Sequence, residues 1–181
     1  MSKKYIFSII LILISITVGY FIISSKQEVK EQNQSSTIQN INKTENSKSS
    51  QPQFLGEKGK TINLVDGQIG ITANTLDDNL AHYYNTELPS GKIIHFFVIE
   101  DKAGVYRAAA NACQLCFDAR MGFRQEGDFM VCNTCGNKYP LEKIATKKGG
   151  CNPGPINPNL EIRDGKIFIK QSDLEQVSNF F

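Results

Sequence analysis

The sequence lacks the motifs that signal the common hydrolytic and group-transfer chemistries. It contains only two histidines, His82 and His95. No Gly-x-Ser-x-Gly, His-Glu-x-x-His or phosphate-loop motif accompanies its serines and aspartates. Those motifs supply the nucleophiles, metal ligands and phosphate contacts of many hydrolases and transferases. The sequence therefore offers no candidate hydrolase or transferase site.

A strong charge imbalance and long-range repetition are also missing. Twenty basic and 18 acidic residues leave a net charge of only +2. A nucleic-acid-binding surface normally requires a more basic composition. No repeat with a period of 20–50 residues is present, and no helical pattern is long enough for a bundle. The sequence predicts no nucleic-acid partner.

One long apolar run exists, and it lies near the N-terminus. Residues 1–4 form a basic N-terminus, and residues 5–23 are uncharged. As a helix this run would reach about 28 Å, close to the thickness of the hydrocarbon layer. The basic start and the lack of a convincing cleavage site predict an uncleaved, single-pass anchor in the cell membrane, with the C-terminal domain outside the cytoplasm. A cleaved secretory signal is the alternative.

Residues 24–53 differ sharply in composition, because Gln, Asn, Ser, Lys and Glu dominate them. Such a segment buries too little apolar surface to offset its chain entropy, so a flexible polar linker is predicted.

Residues 54–181 are enough for one domain. Their short apolar segments, separated by turn residues, predict a mainly β fold. The apolar segment 92–100 is expected to be a central strand because both of its faces are apolar. A short helix is predicted from Ser172, with Glu175 completing its N-terminal cap. Three turns, at Asp66-Gly67, Pro89-Ser90-Gly91 and Asp164-Gly165, separate paired strands. The predicted strands are 60–64, Gln68–Thr72, 80–88, 92–100, 104–109, 128–131, 160–163 and Lys166–Lys170.

All five cysteines lie within residues 113–151 and form the strongest functional signal. Two C-x-x-C pairs, Cys113/Cys116 and Cys132/Cys135, precede Gly149-Gly150-Cys151-Asn152-Pro153. Each pair can curl into a knuckle that aims two sulfurs at one metal. Gly136, directly after the second pair, can adopt the positive φ that such a turn requires. Disulfide or redox-thiol chemistry is the alternative, although an odd number of cysteines leaves one thiol unpaired.

The predicted ligands are Cys113, Cys116, Cys132 and Cys135, with Cys151 as an alternative ligand or a nearby thiol. They belong to a metal lobe at about residues 110–158. Thiolates select zinc, Cu(I) or iron–sulfur centres over hard cations. The prolines that follow Cys151 are expected to stiffen a loop that covers the site.

The remaining candidates are the histidines and a group of basic residues. His95 alternates with apolar residues along a strand, so a core position is expected rather than ligation. The basic residues could offset the charge of a thiolate site or steer an acidic redox partner, or they could form an ordinary solvated surface. They are Arg107, Arg120, Arg124, Lys143, Lys147 and Lys148.

The order of the cysteine pairs resembles that of a Rieske-type iron–sulfur domain, with Gly136 and Tyr139 after the second pair and a closing hairpin at 162–169. Rieske pairs contain one Cys and one His each, whereas both pairs here contain only cysteine. Any cluster held by thiolates alone is expected to have a lower reduction potential.

A closer resemblance covers about residues 68–181. The Phe96-Phe97-Val98 segment, the two pairs and the Gly-Gly-Cys-Asn-Pro element resemble the FtrD-like family of membrane iron–sulfur proteins. This resemblance implies an iron–sulfur cluster or iron, held by a Rieske-like or rubredoxin-like β domain. It also implies electron transfer or metal handling in ferrous-iron uptake, with redox or iron-transport membrane proteins as partners. The alternatives are a structural zinc-ribbon binding module and a domain that handles iron or copper without redox chemistry.

Overall fold

The computed structural model describes residues 52–181. The predicted segments 1–4 and 5–23, and all but the last two residues of the predicted linker 24–53, lie outside the described residues. Within residues 52–181, no helix has the length and apolar character needed to cross a membrane.

The described chain is mainly β, as predicted. Its only α-helix is α1 (Gln171–Glu175), and short 3₁₀ turns occupy Ala73–Leu76, Phe117–Ala119, Leu141–Lys143 and Ser178–Phe180. The strands are β1 (Lys60–Thr61), β2 (Gln68–Thr72), β3 (His82–Glu87), β4 (Ile93–Glu100), β5 (Tyr106–Cys113), β6 (Phe123–Glu126), β7 (Phe129–Cys132), β8 (Lys138–Pro140), β9 (Pro153–Asn157), β10 (Glu161–Arg163) and β11 (Lys166–Lys170).

These strands form three sheets. The central sheet has five strands in the order β1-β3-β4-β5-β9, and its only parallel pair is β1 with β3. One three-stranded sheet, β10-β11-β2, packs on one face of the central sheet. The other, β6-β7-β8, packs on the opposite face and carries the second cysteine pair.

Strand β4 lies at the centre of this arrangement. Phe96 and Val98 point into the core shared with β2 and β11, whereas Phe97 and Ile99 point into the core shared with β6 and β7. Because successive residues of a strand face opposite sides, a strand covered on both faces must be apolar throughout. The prediction of a central strand is confirmed.

The predicted hairpin around Asp66-Gly67 is wrong. The turn forms, with φ of 49° and 73° at its two central residues, but only the single bridge between Val65 and Gln68 crosses it. Strand β2 pairs instead along its whole length with β11. That pairing buries isoleucines from both strands in one core, which a local hairpin with the exposed β1 would not achieve.

Three strands were not predicted, namely β6, β8 and β9. Strand β9 replaces the predicted proline-stiffened cover, because Pro153 and Pro155 lie opposite Cys113 and Ala109 of β5. Proline has no N–H to donate, so it is tolerated in a strand that lies at the edge of a sheet. The C-terminal hairpin of β10 and β11 around Asp164-Gly165 is confirmed.

Helix α1 begins one residue before the predicted start. The carboxylate of Asp173, not that of Glu175, accepts the N–H of Lys170 at the helix start, at 3.4 Å. Glu175 accepts a hydrogen bond from the Gln171 side chain at 2.8 Å. The predicted helix is therefore present, but its predicted cap is wrong.

Candidate metal centre

Four of the five cysteines converge on one point. The sulfur atoms of Cys113, Cys116, Cys132 and Cys151 all lie within 4.8 Å of one another. The Sγ of Cys151 is 3.4 Å from that of Cys113 and 3.9 Å from that of Cys116. Cys113 and Cys132 are buried, whereas Cys116 and Cys151 are half-buried. Cys135 is exposed and is not one of these four, although its thiol contacts those of Cys151, Cys132 and Cys116.

The first cysteine pair lies where β5 ends. Cys113 is the last residue of the strand, and its sulfur accepts the backbone N–H of Cys116 at 3.3 Å. The 3₁₀ turn Phe117–Ala119 follows and ends at Arg120, whose φ is 54°. This knuckle therefore closes through a short helical turn rather than through a glycine. The Phe117 ring packs against Phe180, with ring centroids 5.6 Å apart.

The second pair lies where β7 ends. The Cys132 sulfur accepts backbone N–H groups from Thr134 and Cys135. Gly136 has a φ of 73°, and its N–H donates to the Cys132 carbonyl at 2.9 Å. The expected positive φ of Gly136 is confirmed. N–H groups aimed at sulfur favour its thiolate form and so oppose the larger effect of burial, which raises the pKa of Cys132.

Cys151 is positioned by three amide side chains, of which the sequence singled out only Asn152, as part of the Gly-Gly-Cys-Asn-Pro element. Asn152 is 2% exposed, and its Nδ2 donates to the Lys147 carbonyl at 2.9 Å. Asn137 donates to the Cys151 carbonyl at 3.2 Å and links it to the second knuckle. Gln114 links it to the first knuckle. Its backbone N–H donates to the Asn152 carbonyl at 3.0 Å, and its Oε1 accepts the Gly149 N–H at 2.9 Å.

Loss of hydration favours the neutral form of three of these thiols. It raises the pKa of Cys132 and Cys151, and together with Cys113 it raises the pKa of Cys116 to about 12. Cys135 differs, because contact with the Cys151 thiol and a hydrogen bond from Asn137 lower its pKa to about 7. A metal cation would supply the positive charge that converging thiolates need, and its binding would release protons.

Neither histidine belongs to this group of converging ligands. His95 is 8% exposed, stacks on Phe54 with ring centroids 4.1 Å apart, and places its Nδ1 3.5 Å from the Lys58 carbonyl. It is a core residue, as expected. His82 lies 3.0 Å from the Asp78 carboxylate.

The basic residues near the cysteines divide into paired and unpaired groups. Arg107 forms a buried ion pair with Asp101, and Arg124 pairs with Glu126 at the surface. Lys147 and Lys148 are exposed and form no ion pair within residues 52–181. The hydrogen bond between Gly149 and Gln114 holds these lysines beside the first knuckle.

A β domain that gathers several thiols at one point belongs to the class of cysteine-based metal-binding domains. Residues 76–181, more than half of the chain, match the family described as membrane iron-sulfur containing protein FtrD-like, and the chain belongs to this family. The predicted family resemblance is confirmed. No curated protein and no solved structure matches the chain. The Rieske-like order of the cysteine pairs and the rubredoxin-like alternative stay predictions.

Proposed function

We propose that this chain is a membrane-anchored, extracytoplasmic redox protein that transfers electrons, or handles iron, in ferrous-iron uptake. The convergence of four cysteine sulfurs within 4.8 Å of one another supports this function most strongly. Family membership supports an iron–sulfur or iron centre and a membrane location. The single-pass anchor at residues 5–23, with the domain outside the cytoplasm, belongs to the same proposal.

The centre would be held by cysteine thiolates and would supply reversible one-electron chemistry when bound. The protein's own residues provide three further functions. Two ligands are buried, which limits the access of water and oxygen. Backbone N–H groups of Cys116, Thr134 and Cys135 point at sulfur, and hydrogen bonds to the sulfurs tune a reduction potential. The amides around Cys151 fix the position of the third cysteine element.

The redox partner is proposed to be an acidic protein that docks over the first knuckle. Leu115 lies between Cys113 and Cys116 and is 68% exposed, so an apolar side chain marks the surface next to the centre. Lys147 and Lys148 directly precede Gly149, whose N–H donates to the Gln114 side chain of the first knuckle, and both lysines are unpaired within the described residues. An apolar contact bordered by uncompensated positive charge is complementary to an acidic partner. Docking here would bring the partner close to the half-buried Cys116.

A structural zinc site is the second candidate function. Four-cysteine sites with closely spaced sulfurs are a common form of structural zinc, and zinc would hold the two knuckles and the Cys151 loop together. The same geometry supports this candidate, so the identity of the metal decides between the two.

The test is anaerobic purification of the full chain in detergent, followed by metal analysis and visible spectroscopy. The proposed function predicts bound iron and a visible absorbance that bleaches with dithionite and returns on reoxidation. Cys132→Ser should lose this absorbance, because it removes a buried ligand. A colourless protein that holds one zinc ion per chain would contradict the redox function and support the structural one.

A further inference from the structure

We infer that Cys113, Cys116, Cys132 and Cys151 together bind a single metal ion without bridging sulfide, and that Cys135 is not a ligand. This inference rests on the proposed function only in placing a metal at the cysteines. It departs from the bridged cluster that the family description suggests.

The separations between the sulfur atoms match a single tetrahedron. A thiolate sulfur lies about 2.3 Å from a tetrahedral metal ion, so two sulfurs on the same ion are about 3.8 Å apart. The sulfurs of Cys113 and Cys151 are 3.4 Å apart, and those of Cys116 and Cys151 are 3.9 Å apart. No pair among the four exceeds 4.8 Å. One ion at their centre would therefore contact all four.

A bridged cluster requires a wider arrangement. Each iron of such a cluster is bound partly by sulfide, so the four cysteines are divided among different irons. Cysteines on different irons are separated by the iron and sulfide ions between them, and must lie further apart than one tetrahedral edge. The four sulfur atoms here lie too close together to be divided between different irons. Cys113 and Cys132, which come from the two different knuckles, are both buried within the same core as Phe97 and Phe123.

Cys151, rather than Cys135, completes the set of four. Cys135 is exposed at the end of the second knuckle. Its sulfur contacts those of Cys116, Cys132 and Cys151, but it is not one of the four that all lie within 4.8 Å of one another. Its backbone N–H, however, donates to the Cys132 sulfur. Cys135 therefore supports the site through its main chain, which a serine at the same position would preserve. The amides of Asn137, Asn152 and Gln114 position Cys151 instead.

Electron transfer at such a centre requires no change in ligands. A ferric ion with four thiolates carries one net negative charge, and the ferrous form carries two. Reduction adds one electron, which the redox partner supplies, and no bond forms or breaks. The unpaired Lys147 and Lys148 would favour the more negative, reduced form.

The experiment measures iron, zinc and acid-labile sulfide per chain in the anaerobically purified full-length protein and in two variants. The wild type is expected to hold one metal ion and no sulfide. Cys135→Ser should keep the full amount of metal, whereas Cys151→Ser should lose it. As a second measurement, Co²⁺ added to the metal-free wild type and to Cys135→Ser should give the same tetrahedral thiolate spectrum. This comparison remains informative even where Cys151→Ser fails to fold.

The outcomes separate this inference from the proposed function. Sulfide in proportion to more than one iron would overturn the single-ion centre and leave electron transfer supported. Loss of metal or an altered Co²⁺ spectrum in Cys135→Ser would overturn the set of ligands. One zinc ion per chain without iron would leave the single-ion centre standing and contradict the redox function.

Discussion

Asn152 is the buried amide that fixes the chain on both sides of Cys151. Its side chain closes the loop that precedes Cys151 by donating to the Lys147 carbonyl. Its own carbonyl accepts the backbone N–H of Gln114, which lies inside the first cysteine pair. The asparagine of the Gly-Gly-Cys-Asn-Pro element therefore connects the third cysteine to the first knuckle. Only the bond to Lys147 uses the amide side chain, so a substitution at Asn152 removes that bond.

Asn152→Ala is expected to lower the affinity for metal by about 10–100-fold, the usual effect of losing a residue that supports a ligand. The alanine leaves the Lys147 carbonyl without its donor and loosens the loop. Competition with a chelator measures this change. Asn159→Ala is the matched control, because Asn159 is exposed and its side chain forms no hydrogen bond within residues 52–181. Equal affinities for the two variants would show that Asn152 does not position Cys151.

The sequence indicated which cysteines could come together, but not which four sulfurs the fold brings closest to one another. The C-x-x-C spacing predicted two knuckles, and Gly136 predicted the left-handed turn that the second knuckle contains. Cys135 and Cys151 could not be ranked from spacing alone, because their positions depend on how β9 and the loop before it pack. The roles of Asn137 and Gln114 have no local signal, since their hydrogen bonds reach residues 14 and 35 positions away, respectively.

At the scale of elements, a buried ion pair attaches the metal lobe to the central sheet. Arg107 of β5 donates to the Asp101 carboxylate at 2.7 Å and to the Ile144 carbonyl at 3.3 Å. Asp101 is 3% exposed and also accepts the N–H groups of Ala103 and Val105. Burial alone would raise the pKa of Asp101, but these donors outweigh it and lower the pKa below its ordinary value.

Asp101→Asn is expected to destabilise the fold by about 3 kcal/mol, because it leaves a buried guanidinium without its counter-charge. The pKa of Asp101 is lowered in the folded state. The stabilisation that its carboxylate gives the wild type is therefore fully present above the ordinary aspartate pKa and is lost as the pH falls below about 4. Thermal unfolding across this pH range measures the effect. The difference in stability between the wild type and the variant should become smaller in acid.

Asp128→Asn is the control, because its pair with Lys102 is exposed and surface pairs contribute little. Two results would contradict the role of the Asp101–Arg107 pair. One is a loss of stability in Asp101→Asn that does not depend on pH, and the other is a loss of stability no larger than that of the control.

Local signals predicted the elements that depend on local chemistry and missed those that depend on distant partners. Strands β2 and β11 have the predicted bounds, since alternation and Asp-Gly turns act over a few residues. The pairing of β2 with β11 joins segments almost 100 residues apart, and no turn signal encodes it. Strand β9 was missed because its prolines are compatible with a strand only at a sheet edge.

At the scale of the described domain, the two outer sheets divide structural and functional roles. The β10-β11-β2 sheet covers one face of the central sheet with isoleucines. The β6-β7-β8 sheet covers the other face and holds the second knuckle. The exposed Leu115, Lys147 and Lys148 lie on the cysteine side of this arrangement, where we propose that a redox partner docks.

The double variant Lys147→Glu/Lys148→Glu is expected to slow oxidation of the reduced protein by ferricyanide several-fold at low salt. It should speed oxidation by hexaammineruthenium(III), because the first reagent is an anion and the second a cation. Stopped-flow rates measure both effects. High salt should remove them, since the screening length falls to about 3 Å at 1 M.

Lys166→Glu/Lys170→Glu makes the same change in net charge at exposed positions of β11, in the sheet without cysteines. Equal effects of the two double variants would show that only total charge matters, and would contradict a docking face beside the first knuckle.

X-ray absorption at the edge of the bound metal tests the central claim most directly, because it reports the ligands of the metal itself. For the anaerobically purified full chain, we predict one shell of four sulfur atoms at about 2.3 Å and no metal–metal scattering. The Cys135→Ser variant should give the same spectrum. A shell of oxygen or nitrogen ligands, or a metal–metal distance, would contradict a single ion bound by Cys113, Cys116, Cys132 and Cys151.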